Sequence, residues 1–319
     1  MLSYILRRLA LSVLTLWLVS VAAFVLLRVA PGDAAVASLA LSPGEGALSP
    51  EDLARRRHDL GLDRPYVRQY LDWAGKLARL DAGRSTASGQ PVVPEIRPRL
   101  GVTIELAAVT LAFVSVLGVA AGLLGAWARG RWADALARGF ALAGLSTPAF
   151  WVGLLLIVAV AAWTGTFIAA SYVPFWDGPW ANLRAVLPAA LVLAVRPASL
   201  VARVVRAATV EALGQDFVRA ARARGLGEPA VLWRHAFRAA MLPVVTVIGV
   251  EAVFLLGGAV VIEQVFSLPG LGRALVAGVI ERDYPLVQFV LLLFGGMAVA
   301  LNLAADVLYA RLDPRVRRE

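Results

Sequence analysis

The chain is 319 residues long, 60% hydrophobic and only 17% charged, with a mean hydropathy of +0.74. An ordinary soluble domain is about half apolar and about a quarter charged, so a pair of soluble domains is excluded and a membrane protein is indicated. A net charge of +9 reads in such a chain as topology rather than nucleic-acid binding, and the absence of cysteine excludes disulfide frameworks, thiolate nucleophiles and cysteine metal sites.

A helix needs about 20 apolar residues to cross the hydrocarbon. Residues 9–27, after Arg7 and Arg8, supply the first such run. The order is that of a secretory signal, but the apolar core is longer than the about 7 to 15 residues of one. Arg28-Val29-Ala30-Pro31-Gly32-Asp33 is also a poor cleavage site, so a retained first span is expected. In the loop that follows, residues 29–99, Ser49-Pro50-Glu51-Asp52 reads as a helix start with Ser49 as N-cap. Residues 66–80 then place Tyr66, Tyr70, Trp73, Leu77 and Leu80 at helical spacing. Two short amphipathic helices on or near the outer surface are expected, packed on the spans or meeting a partner.

Residues 106–128 form the second span. Residues 139–176 are free of charge for longer than one span requires, which predicts a third span followed by an apolar outer loop. Pro174, Trp176, Gly178, Pro179 and Trp180 suit that interfacial loop. Spans four to six are residues 185–202, 239–262 and 285–310, carrying Arg196, Glu251 and Asp306. Six spans place both termini on one side. Sixteen arginines lie in residues 1–8, 129–138, 203–238 and 311–319, against Arg184, Arg273 and Arg282 in the two short loops opposite, so both termini are predicted to be cytoplasmic.

A charge at the bilayer centre costs about 2.5–3.5 kcal/mol on insertion scales. Arg196 and Glu251 are therefore expected to line a path or to pair between spans four and five, unless each lies nearer an interface and snorkels. Asp306 is expected to pair with Arg311 at the cytoplasmic boundary. Pro148, Pro197, Gly249, Gly257 and Gly258 allow kinks and close helix contacts. The outer loop at 263–285, with a tight turn at Pro269-Gly270-Leu271-Gly272, is a candidate docking surface, as is the long first loop.

The richest segment is the cytoplasmic loop at 206–240. Residues 211–224 read as one helix ending in basic residues, with Gly225 as the residue after its end and Pro229 in the first turn of the next helix. Ala220 and Ala221 leave a small, flat helix surface flanked by Arg219, Arg222 and Arg224. Such a face suits either a protein groove with acidic rims or anionic lipid.

Catalytic chemistry is poorly supported. The single lysine, in Ala74-Gly75-Lys76-Leu77, lacks the glycine and hydroxyl of a phosphate-binding loop, so no nucleotide site of that kind is expected. His58 and His235 cannot make a zinc helix, and Gly144-Leu145-Ser146-Thr147-Pro148 lacks the second glycine of a nucleophile elbow. The rival class is an ion-coupled secondary transporter using Arg196, Glu251 and Asp306. Such transporters commonly show internal repeats, and none is visible between the halves.

The order Ala220-Ala221, three residues, Gly225 resembles the EAA loop of permease subunits in binding-protein-dependent ABC importers. The surrounding text is most similar to the dipeptide/oligopeptide/nickel branch. It carries Asp216-Phe-Val-Arg-Ala-Ala-Arg-Ala-Arg-Gly-Leu226, His235-Ala-Phe-Arg238, Leu242-Pro-Val-Val-Thr-Val-Ile-Gly249 and Gly257-Gly-Ala-Val-Val-Ile-Glu263. Phe266-Ser-Leu-Pro-Gly-Leu-Gly272, Arg282-Asp-Tyr-Pro285, the stretch from Tyr4 to Arg8, and Pro31-Gly32-Asp33 belong to the same likeness, which covers nearly the whole chain.

The resemblance implies an all-α polytopic fold with six transmembrane helices, the type I importer permease fold. Residues 1–99 would hold the first span and the long extracytoplasmic loop, and residues 100–319 a five-helix permease domain with its coupling loop at 206–240. Arg219, Ala220, Ala221, Arg222, Arg224, Gly225 and Leu226 would enter a cleft of a separate ATPase subunit. Arg219 stands where the motif has glutamate, and Arg238 where it has proline, with Pro243 later. The implied partners are a second homologous permease, two ATPase subunits holding ATP and magnesium, an extracytoplasmic solute-binding protein and membrane lipid. No cofactor is expected on this chain. The implied setting is a bacterial inner membrane, and the implied cargo is peptides or related small solutes.

Overall fold

A computed structural model describes residues 2–29, 50–59, 63–165 and 172–312. Pro31-Gly32-Asp33, the Ser49 cap and the Arg311 side chain that was expected to pair with Asp306 lie outside what it describes. The described residues are helical: α1 (Leu2–Val29), α2 (Pro50–Asp59), α3 (Tyr66–Leu77), α4 (Val92–Trp127), α5 (Trp132–Ser146) and α6 (Ala149–Thr164) come first. α7 (Pro179–Leu213), α8 (Asp216–Ala223), α9 (Phe237–Val265), α10 (Leu271–Glu281) and α11 (Tyr284–Leu312) follow. Among these residues the only extended pairing is an isolated bridge between Arg84 and Pro91.

Among the described residues, five helices are long and apolar enough to cross a membrane: α1, α4, α7, α11 and the run Glu228–Val265 that contains α9. α5 and α6 pass the same test together but are bent by 102° at Thr147-Pro148, giving six if the pair is one span. The charge-free run from residue 139 is thus shared by two helices that meet at a sharp bend, not one straight span. Thr147 is extended and Pro148 cannot donate to the helix behind it, which stops α5 where it does. α6 ends at Gly165, in the left-handed region at φ +68°.

Two compact units are present, Met1–Val102 with Pro269–Val299, and Thr103–Leu268 with Ala300–Glu319. In the first, Ala82, Val92, Ile96, Leu271, Ala274, Leu286 and Val290 form the core. α3 docks on α1 through Phe24, which meets Tyr70 edge-on at 5.5 Å between ring centres, while Ser20 and Tyr70 share a 2.8 Å hydrogen bond. The inner face of α3 carries the expected Tyr70, Trp73 and Leu77, but not Tyr66 or Leu80. Gln69 is inside, donating to the Arg64 carbonyl at 2.7 Å, whereas Tyr66 is 66% exposed and Leu80 lies past the helix end at φ +60°.

The expected outer loop at 263–285 contains helix α10. After it, the buried Asp283 carboxylate caps α11 at the Leu286 N–H, 3.3 Å, and accepts from the Ser85 hydroxyl and the Thr86 N–H, the latter at 3.1 Å. One acid therefore starts a helix and pins the 84–91 turn.

α7 is the axis of the second unit. Glycines let its neighbours approach closely: a Cβ on Gly118 or Gly122 of α4 would fall 2.7 Å or 2.5 Å from the Cβ of Val201 or Val205. On α5, a Cβ on Gly144 would fall 2.0 Å from the Ser199 hydroxyl. Val114, Leu123, Ala194, Val201, Val205, Leu232 and Val244 fill the core between α4, α7 and the segment leading into α9. Farther along α9, buried Glu263 accepts the Thr103 hydroxyl at 2.6 Å.

Candidate functional site

α7 runs from its core contacts straight into the basic loop. It ends at Leu213, where Gly214 and Gln215 turn the chain, and α8 starts at Asp216. The single helix expected over 211–224 is thus two, because Gly214 costs helix stability at a point where Leu213 must turn inward. Asp216, in the first turn of α8, pairs with Arg219 three residues on.

Val218 and Ala221 are fully buried against Val231, with Leu213 packed beside them. This corrects the expected pairing of Ala220 with Ala221 on one outward surface: Ala221 is the inward anchor of α8, and Ala220 alone is exposed. The reason is helical geometry. Residues 218 and 221 are three apart and share a face, while 220 lies about 100° from 221. Around Ala220 the exposed surface carries Phe217, Arg219, Ala223, Arg224 and Leu226. Gly225 takes φ +79°, the left-handed value expected after a helix end, and its N–H bonds to the Arg222 carbonyl at 2.9 Å.

Arg222 does not stand free beside this surface. Its Nε and Nη2 donate to the two Glu228 carboxylate oxygens at 2.8 and 3.1 Å, fixing the start of the next helix. That bond is the largest cause of a raised Arg222 pKa. Pro229 sits in the first turn of this helix, as its sequence position requires, and Val231–Ala236 form a π-helical turn before α9.

At the base of α7, Arg206 donates through Nε and Nη2 to Asp134 at 2.6 and 3.0 Å, and the Gly130 N–H reaches the same carboxylate at 3.1 Å. The Asp134 carboxylate is 2% exposed. Asp134 lies outside the charge-free runs that mark the spans. Its signal was there to read, as the one acid within the arginine-rich stretch 129–138.

The two mid-span charges do meet. Arg196, at the middle of the 35-residue α7, places Nη1 3.6 Å from Oε2 of Glu251, at the middle of the 29-residue α9. The guanidinium side is 54% exposed and the carboxylate 5%. Pairing removes the need for either side chain to snorkel. Among the described residues no group of three histidine or acidic side chains could hold a metal.

The described residues form a helical bundle with a basic loop between α7 and α9. Residues 116–318 match the family described as binding-protein-dependent transport system inner membrane component, and residues 1–107 match that of the N-terminal part of such membrane components. The chain belongs to this family: it is an integral membrane permease subunit of an ABC importer and works with other components of that transporter.

Among its relatives is a Brucella abortus (strain 2308) protein named as a candidate permease of a peptide transport system, 41% identical over 317 residues and 99% of each chain. The glutathione transport system permease protein GsiC of Escherichia coli (strain K12) is 38% identical over 320 residues, again 99% of each. The crystal structure of an amino acid ABC transporter with histidines shares the fold. It has a TM-score of 0.52 at 17% identity, covering 69% of this chain and 94% of that one.

Proposed function

We propose that this chain is one of two homologous permeases in an importer of peptides or related small solutes, served by an extracytoplasmic solute-binding protein and driven by two ATPase subunits that hold the ATP and magnesium. The names of the peptide and glutathione permeases support the cargo class. Both termini face the cytoplasm of a bacterial cell, in keeping with the arginine distribution.

The observation that carries the coupling role is the shape of α8. It is a short helix anchored inward by Val218 and Ala221, presenting Ala220 among Arg219, Arg224, Phe217 and Leu226, at the end of a helix that runs back to mid-span. A small residue at the crest lets a cleft close on the helix backbone, and the arginines meet acidic rims. ATP-driven closure of the ATPases then pulls α8, and α7 with it, switching the side to which the path between the permeases opens. Arg196 and Glu251 line that path. The first span, the long loop and its short helices offer a surface to the binding protein.

The test is co-purification of the intact transporter from its native membrane, with Ala220→Glu and Arg224→Glu introduced together. Neither side chain is part of the buried anchor, so the permease itself should purify with unchanged thermal stability. At least about tenfold less ATPase subunit should accompany it, the loss expected when a well-packed interface residue is replaced by a misplaced charge. Full retention of the ATPases by the double variant would remove the assignment.

A further inference from the structure

Two of the arginine–carboxylate pairs in the second unit are built differently. Arg206 and Asp134 form a closed clamp, with two hydrogen bonds at 2.6 and 3.0 Å and a third donor from Gly130. Arg196 and Glu251 approach only to 3.6 Å, through one nitrogen, beyond the about 2.7–2.9 Å of a charge-assisted hydrogen bond. A pair kept for structure alone would be expected to close like the first. This one is open on one side only, with the carboxylate sealed and more than half of the arginine side chain exposed.

A guanidinium carries five N–H donors in a planar fork that matches a carboxylate. Arg196 makes no hydrogen bond within the described residues, so the fork is held near mid-span by a partner that does not occupy it.

We propose that Arg196 is a carboxylate-binding group of the translocation path and that Glu251 is its resident counter-ion. A solute carboxylate takes the guanidinium fork as it passes, and Glu251 becomes the closest partner again when the solute leaves. Two carboxylates competing for one cation keep the solute weakly held, as a group that must be released onward requires. This rests on the placement of the pair in the path made above, and it narrows the substrate class to small solutes with a free carboxylate, such as peptides with an unblocked C-terminus.

The test uses the complete transporter, with its binding protein and ATPases, in proteoliposomes. The probes are a mixed tripeptide library and the same library with C-terminal amides, and ATP-dependent uptake is read by mass spectrometry of the vesicle contents. Any preference of the binding protein is the same for every permease variant and cancels when acid-to-amide ratios are compared. Arg196→Gln is expected to lower that ratio about tenfold or more, the loss of a hydrogen-bonded charge pair.

Should the Arg196→Gln complex fail to assemble, Glu251→Gln carries the test. Freed from its competitor, Arg196 should then hold acids more tightly, and the acid-to-amide uptake ratio should change by several-fold. Equal changes for acids and amides in the variant that assembles would overturn the carboxylate role and leave the permease assignment standing. A wild-type complex that imports neither library, with its ATPases bound, would overturn the peptide reading as well.

Discussion

Asp134 shows how much one side chain organises near the loop. It is almost fully buried, and it ties the turn at Gly130 to Arg206 near the end of α7. Asp134→Asn keeps the shape but leaves Arg206 without its charge partner. Removing one member of a fully buried pair costs about 3–5 kcal/mol. Arg206 is 26% exposed, so about 1.5–3 kcal/mol is expected here. The thermal midpoint of the purified complex should fall accordingly, and the double change with Arg206→Gln should recover part of the loss. Strictly additive losses would show that the two residues are not coupled. At this scale the sequence exposed Arg196 and Glu251, because charge within an apolar run is conspicuous. It hid Asp283 and the inward turn of Ala221, whose roles depend on what folds against them.

Between elements, the glycines of α4 and α5 decide how closely α7 is approached. Gly122→Leu is expected to prevent normal assembly, since even its Cβ would lie 2.5 Å from the Val205 Cβ and 2.7 Å from the Ala202 carbonyl oxygen. Gly139→Ala in α5 meets nothing within 4 Å and should leave stability unchanged or raised by about 0.5–1 kcal/mol. Monodisperse yield in size-exclusion chromatography reads both. Equal behaviour of the two variants would mean that close packing on α7 does not govern assembly. The apolar runs located these helices well but cut α4 and α7 short, because both extend through arginines beyond the hydrocarbon. The bend between α5 and α6 leaves no mark in them, because Thr147 and Pro148 carry no charge.

For the whole molecule, topology is open to direct labelling because the chain has no cysteine of its own. Ser88→Cys, in the exposed turn after α3, should react with a membrane-impermeant maleimide on intact cells. Gln215→Cys, between α7 and α8, should react only in inverted vesicles. Labelling of both from the same face would contradict the orientation drawn from the arginine count.

The sequence by itself determined that this chain lives in a membrane, roughly where its helices cross, the helix and glycine turn of its basic loop and the family to which it belongs. Those properties follow from composition, from runs of about 20 apolar residues and from local motifs, all carried by neighbours in the chain. Only the tertiary structure decided that α5 and α6 meet at a sharp bend, that α8 is anchored by Ala221 while presenting Ala220, that Asp134 clamps Arg206, and that Arg196 and Glu251 meet across two helices without closing. These are relations between residues 3 to 72 positions apart, set by which helix faces pack together. Packing is a property of pairs of surfaces, which no single stretch of sequence contains.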